Sequence, residues 1–157
     1  MPEQTPAMYF EDFTVGDRWD LGTAELTREE MLEFARRYDP EPLHVDEAAA
    51  GEGRFDGLIG SGLLTLAKCR LLDQRFFSRR GARFQVAAGF RYLDFAAPSR
   101  PGDVIRVSSE CTGKRPSRTR PEIGLVTFKI TAANQRDERL LEFAPVVLVQ
   151  RGAPAAP

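Results

Sequence analysis

Apolar residues follow a helical spacing through much of the first half of the chain, after one early strand, and an alternating spacing beyond Phe84. Trp19, Leu21 and Thr23 alternate after the turn-like Val15-Gly16-Asp17, which predicts a strand over 18–26. Thr27-Arg28-Glu29-Glu30 then fits a capping box, in which a Thr hydroxyl and a Glu carboxylate three residues on close the free N–H groups of a helix start. Met31, Phe34, Ala35 and Tyr38 follow as one apolar stripe. The helix should stop near Tyr38, because Pro40 disfavours the helical region for Asp39 and Pro42 does the same for Glu41. Residues 39–44 are therefore expected as a rigid, extended loop, followed by a short helical turn over 46–50 capped by Asp46.

Gly51, Gly53 and Gly57 break the chain before Leu58-Ile59-Gly60-Ser61-Gly62 leads into Leu63, Leu64, Leu66, Leu71 and Leu72. That series predicts a central, largely buried helix over 61–77. Strands are expected over 86–97, with Gly89 a candidate bulge, and then around Ile105 to Ser109, Val126 to Ile130 and Leu141 to Val149. Pro101-Gly102-Asp103 and Asn134 to Glu138 supply the turns between them. The fold class is α+β, because a long helix that is apolar over most of its surface requires a curved antiparallel sheet wrapped around it.

At 157 residues the chain can bury one self-sufficient core. One domain is expected over 1–151, with the small-residue end 152–157 a disordered tail. No apolar run approaches the roughly 18 residues of a membrane span, and Met1 to Phe10 carries no secretory signal pattern, so a cytoplasmic, membrane-free protein is expected. Cys69 and Cys111 are far apart without a clustered His partner, which suggests neither a disulfide framework nor a metal site. A net charge of −1 offers no field for nucleic acid.

The single histidine, His44, lies in Asp39-Pro40-Glu41-Pro42-Leu43-His44-Val45-Asp46. Two prolines between an acid and a potential base restrict the geometry of both. A carboxylate beside an imidazole can take a proton from water and return one to carbon. Taken alone, the segment is read equally well as a helix-ending acid followed by a structural histidine. Asp46 reads as the cap of the next turn.

A helix followed by Asp-x-x-Pro-x-His-x-Asp, a gap, and Gly-Leu-Ile-x-Ser-Gly opening a long helix resembles the MaoC-like dehydratases, which include the (R)-specific enoyl-CoA hydratases. The similarity runs over roughly residues 9–150, and its most specific parts are Asp39, Pro42, His44, Asp46 and Phe55 to Gly62. It implies a hot-dog fold and addition of water to a 2-enoyl-CoA thioester to give the (R)-3-hydroxyacyl-CoA, or the reverse. No metal or cofactor is implied beyond the coenzyme A of the substrate. Asp39 and His44 correspond to the acid-base pair that holds the water, and the Gly62 N–H to the donor that polarises the thioester carbonyl. A glycine at a helix start lets an acyl group approach unpaired N–H groups and the positive end of the dipole, and one such donor is worth about 10²- to 10³-fold in rate. Tight packing alone would also explain Gly60 and Gly62. Glu41 stands where the family often has an amide, and Ser61 where the hydratases carry His.

The basic loop Lys114 to Pro121 could hold coenzyme A phosphates or be a solvated hairpin. Two other functions compete. A hot-dog thioesterase usually wants a carboxylate on the long helix, and 61–72 has none. The other is a non-catalytic hot-dog subunit that binds acyl thioesters. A homodimer or a dimer of dimers is expected, since hot-dog sheets usually join through an edge strand.

Overall fold

The computed structural model describes residues 6–152. Five antiparallel strands form one sheet: β1 (Arg18–Leu26), β2 (Phe84–Phe95), β3 (Asp103–Pro116), β4 (Ile123–Ala133) and β5 (Arg139–Gln150). Their spatial order is β1-β3-β4-β5-β2. The helices are α1 (Arg28–Tyr38), α2 (Pro42–Val45), α3 (Glu47–Gly51) and α4 (Gly62–Arg79).

Strand alternation decides which face becomes core. On β3, Ile105, Val107 and Cys111 turn inward and are buried, while Val104, Arg106 and Ser108 face out. Leu64, Cys69 and Phe77 of α4 pack against that inner face. Phe13 and Trp19 close one end of the core, with the Phe13 ring 5.9 Å from that of Phe77 and 5.7 Å from that of Phe128. A long helix held in a curled antiparallel sheet is the hot-dog arrangement, as the spacing of apolar residues led us to expect.

The caps lie where the sequence places them, with one change. The Thr27 hydroxyl accepts from the Glu30 N–H at 3.3 Å. The Glu30 carboxylate meets Lys68 Nζ at 2.6 Å, tying α1 to α4. Leu32 is buried and Tyr38 is 60% exposed, so the stripe of α1 is rotated from the one expected. The Asp46 carboxylate caps α3, accepting from the Ala48 and Ala49 N–H groups.

The expected extended loop over 39–44 is corrected: 42–45 form a helical turn. Proline has no N–H to lose at the first helical position and a φ already suited to it, so Pro42 starts α2 after restricting the residue before it.

Strand β2 occupies one edge and carries register shifts, one of them at Gly89, whose φ is 156°. It runs over 84–95, two residues earlier than its expected span. Val86, Phe90, Leu93 and Phe95 are exposed along it, as are Leu63 and Leu71 of α4. Cys69 and Cys111 are buried and unpaired. Among the described residues no helix is long and apolar enough to cross a membrane. The Gly152 N–H donates to Glu11 at 2.9 Å. The rest of the expected disordered tail, 153–157, lies outside the described residues.

Candidate active site

Asp39 ends α1 in a non-helical conformation, with φ −154° and ψ 64°. The restriction imposed by Pro40 favours leaving the helix here, and the carboxylate turns toward the start of α4. His44 sits on α2, where its N–H donates to the Glu41 carbonyl at 2.8 Å. The loop leading into α4 is strapped to α2 by the Ile59 N–H, which donates to the Leu43 carbonyl at 3.2 Å. These elements bring His44 Nε2 to 3.5 Å from Asp39 Oδ2, with side chains 11% and 27% exposed.

The other imidazole nitrogen settles the tautomer. Nδ1 lies 2.9 Å from the Ile59 carbonyl oxygen, which can only accept, so Nδ1 carries the hydrogen. In a neutral ring Nε2 then presents a lone pair beside the Asp39 carboxylate. Two acceptors facing one open space can share a water that donates one proton to each.

Ser61 is a member of this group that the sequence reading noted only as a departure. Its hydroxyl donates to Asp39 Oδ2 at 2.6 Å and accepts from the Leu63 N–H at 3.2 Å, and it is 1% exposed. It caps α4 and fixes the same carboxylate oxygen that faces His44. A serine immediately before a helix-opening glycine was the available signal.

Gly62 is the first residue of α4, so its N–H has no acceptor within the helix. A Cβ at this position would fall on the Phe95 ring. Gly60 serves packing: its N–H donates to the Ser99 carbonyl at 2.9 Å, and a Cβ would lie 2.5 Å from Ser99 Oγ and 2.8 Å from Met31 Cε. Both glycine sites are therefore sterically full.

Asp39, His44, Gly62, Thr65, Phe95 and Ser99 are among the residues that line a cavity of about 460 Å³. Arg100 clamps the loop beside it, donating to the Phe55 and Leu58 carbonyls. The Glu41 side chain is exposed and has no ion pair or side-chain hydrogen bond among the described residues. Lys114 is committed elsewhere, with Nζ donating to the Phe10, Glu11 and Phe13 carbonyls. The basic loop begins at the opposite end of β3 from the Arg100 turn, and none of it lines the cavity. No group of three or more His, Cys, Asp or Glu gathers to hold a metal among the described residues.

A hot-dog fold with an Asp–His pair at the mouth of its long helix defines a narrow class of proteins. Residues 13–134 match the model described as the MaoC like domain, and the chain belongs to that family. Uncharacterized protein YdeM of Bacillus subtilis (strain 168) is 30% identical over 146 residues, covering 92% of this chain and all of that protein. The MaoC-like dehydratase from Rhodospirillum rubrum is 32% identical with a TM-score of 0.81, over 94% of this chain and 99% of that one. R-Hydratase PhaJ1 from Pseudomonas aeruginosa shares the fold, with a TM-score of 0.73 at 20% identity over 96% and 95% of the two chains.

Proposed function

We propose that the protein hydrates a 2-enoyl-CoA thioester to the (R)-3-hydroxyacyl-CoA, or dehydrates the latter. The observation that carries this reading is the 3.5 Å approach of His44 Nε2 to Asp39 Oδ2, with Nδ1 fixed by the Ile59 carbonyl. Asp39 and His44 hold a water between them. Its oxygen bonds to C3 as the C2–C3 double bond opens, the pair takes the water's proton, and the pair returns one proton to C2. Water is consumed whole, and the pair ends as it began.

The Gly62 N–H, at the positive end of the α4 dipole, stabilises the enolate-like thioester oxygen that develops as water adds. The thioesterase reading is weaker. Asp73 does place a carboxylate on α4, but it lies about 16 Å of helix rise beyond Gly62 and lines a different cavity. Retention of both Asp39 and His44 argues against a binding subunit without chemistry.

The working unit is a homodimer joined through β2. That edge strand exposes Val86, Phe90, Leu93 and Phe95, and an unpaired apolar edge is covered when two copies join their sheets. A strictly monomeric mass at micromolar concentration would remove this part of the reading.

Hydration is followed by the loss of crotonyl-CoA absorbance, or that of the best substrate found in a panel. Asp39→Asn and His44→Ala should each lower turnover by at least about 10²-fold, with the double variant scarcely worse than either single. Near-native hydration by folded His44→Ala would hand the case to the binding-subunit reading, since the chain has no second histidine.

A further inference from the structure

The catalytic cavity carries a cation that the addition of water does not use. Among the described residues, the ionisable ones that line it are Asp39, His44 and Arg54. Arg54 is exposed, at the rim, and makes no ion pair or hydrogen bond among the described residues. Its guanidinium carbon lies 5.7 Å from the centre of the Phe55 ring, which lines the same cavity. The other arginine beside the cavity, Arg100, is committed to the Phe55 and Leu58 carbonyls. The loop that carries Arg54 is closed on itself: the Gly57 N–H donates to the Ala50 carbonyl at 3.1 Å and the Asp56 N–H to the Gly53 carbonyl at 3.2 Å.

A guanidinium left without an acid beside a reacting carboxylate bears on which substrates can enter. Asp39 repels any anion brought into the cavity, so an acyl group with its own negative charge needs a cation there to offset the repulsion. A guanidinium meets a carboxylate through two parallel N–H donors. At an exposed rim it does so without the full desolvation cost of a buried ion pair. Thr65 and Ser99, both buried, also line the cavity with their hydroxyls 3.5 Å apart, so its wall is not purely hydrocarbon. The phosphates of coenzyme A are a poorer match for Arg54. About thirteen bonds separate the thioester sulfur from the first phosphorus, a reach of about 15 Å when extended, whereas Arg54 lines the cavity that holds Asp39 and His44 themselves.

We infer that Arg54 selects acyl groups that end in a carboxylate, so that the substrates are 2-enoyl thioesters of short dicarboxylic acids. This rests on the hydratase reading above and names the substrate class of the same site. Arg54 takes no part in proton transfer; it holds the far end of the acyl group while Asp39 and His44 act on C2 and C3.

The test compares the coenzyme A half-thioesters of the 2-enedioic acids with four, five and six carbons against the plain 2-enoyl-CoA of each length. At one or more of these lengths the native protein should favour the carboxylated substrate by about tenfold or more in kcat/KM, the worth of a hydrogen bond between charged groups. Arg54→Met should abolish or reverse that preference and leave kcat/KM for the plain chains nearly unchanged, while Arg54→Lys should keep part of it. A native preference for the plain chains at all three lengths, or a carboxylate preference that survives in Arg54→Met, overturns the proposal. An equal loss on both substrate series in Arg54→Met also overturns it and assigns the residue to coenzyme A. Pantetheine thioesters, which carry no phosphate, should show the same preference as the coenzyme A series, and its disappearance with them counts against the acyl carboxylate. If no thioester is hydrated, the hydratase reading fails by itself. Calorimetric binding of the saturated half-thioesters against the plain acyl-CoA of equal length, to native protein and Arg54→Met, then decides the Arg54 question. Tighter binding of a carboxylated member that is lost in Arg54→Met sustains the inference, and equal binding refutes it.

Discussion

Three hydrogen bonds account for the geometry around Asp39 and His44. The Ile59 carbonyl fixes the imidazole, the Ser61 hydroxyl fixes Asp39 Oδ2, and the Leu63 N–H fixes Ser61. Ser61 thus positions the carboxylate without touching the reacting carbons. Ser61→Ala should lower kcat by about tenfold with little change in KM, and should cost about 1 kcal/mol of stability for the lost cap. A threonine at 61 keeps the hydroxyl and should restore kcat in part, which loss of packing alone would not explain. At position 62 the comparison of choice is Gly62→Ala with Gly62→Pro. Both place a Cβ on Phe95, and proline is tolerated at the first position of a helix, so only the proline variant differs by losing the donor. Its kcat should fall a further 10²-fold or so below that of the alanine variant. Equal losses would assign the glycine to packing.

Among the elements, legibility followed local chemistry. Strand β1, the Thr27 and Asp46 caps, and α4 were readable because alternation, capping residues and a long apolar series are encoded within a few neighbours. The segment 39–44 was misread because Pro40 and Pro42 were both taken as marks of extended chain, while a proline that restricts the residue before it can also open a helix. The Asp39–His44 pair was visible as residue types at a spacing. The Ser61 link to Asp39 was not, because it joins the end of α1 to the start of α4 across residues that only the fold brings together. Gly60 shows the same limit, since its crowding comes from Ser99 and Met31 on other elements. Gly60→Ala should therefore destabilise the protein by about 1–3 kcal/mol, the usual cost of overpacking, and lower its melting temperature. An unshifted melting curve would mean that Ser99 and Met31 can rearrange freely.

At the scale of the whole molecule, the buried acid of α4 should be detectable in the pH dependence of folding. Desolvation raises the Asp73 carboxyl to about 6, against about 3.9 for an unfolded aspartate, and Arg70 offsets part of the rise. The native state therefore binds the proton more tightly than the unfolded state does. By linkage, the contribution of Asp73 is most favourable below about pH 4, declines between about pH 4 and 6, and is fully lost above that window. The total change is on the order of 3 kcal/mol, at 1.36 kcal/mol per unit. Glu11 and Glu110 have lowered carboxyls held by Gly152 and Lys129 respectively, and contribute with the opposite sign at lower pH. Native protein alone would superimpose these slopes, so the informative quantity is the difference between native and Asp73→Asn, whose amide does not titrate. Denaturant unfolding of both at intervals from pH 4 to 7 should show native stability falling relative to the variant as pH rises, then running parallel to it above about 6. Parallel curves throughout would mean that a donor already satisfies Asp73 in the assembled protein. A difference of the opposite sign would mean that the carboxylate is stabilised as an ion by more than Arg70.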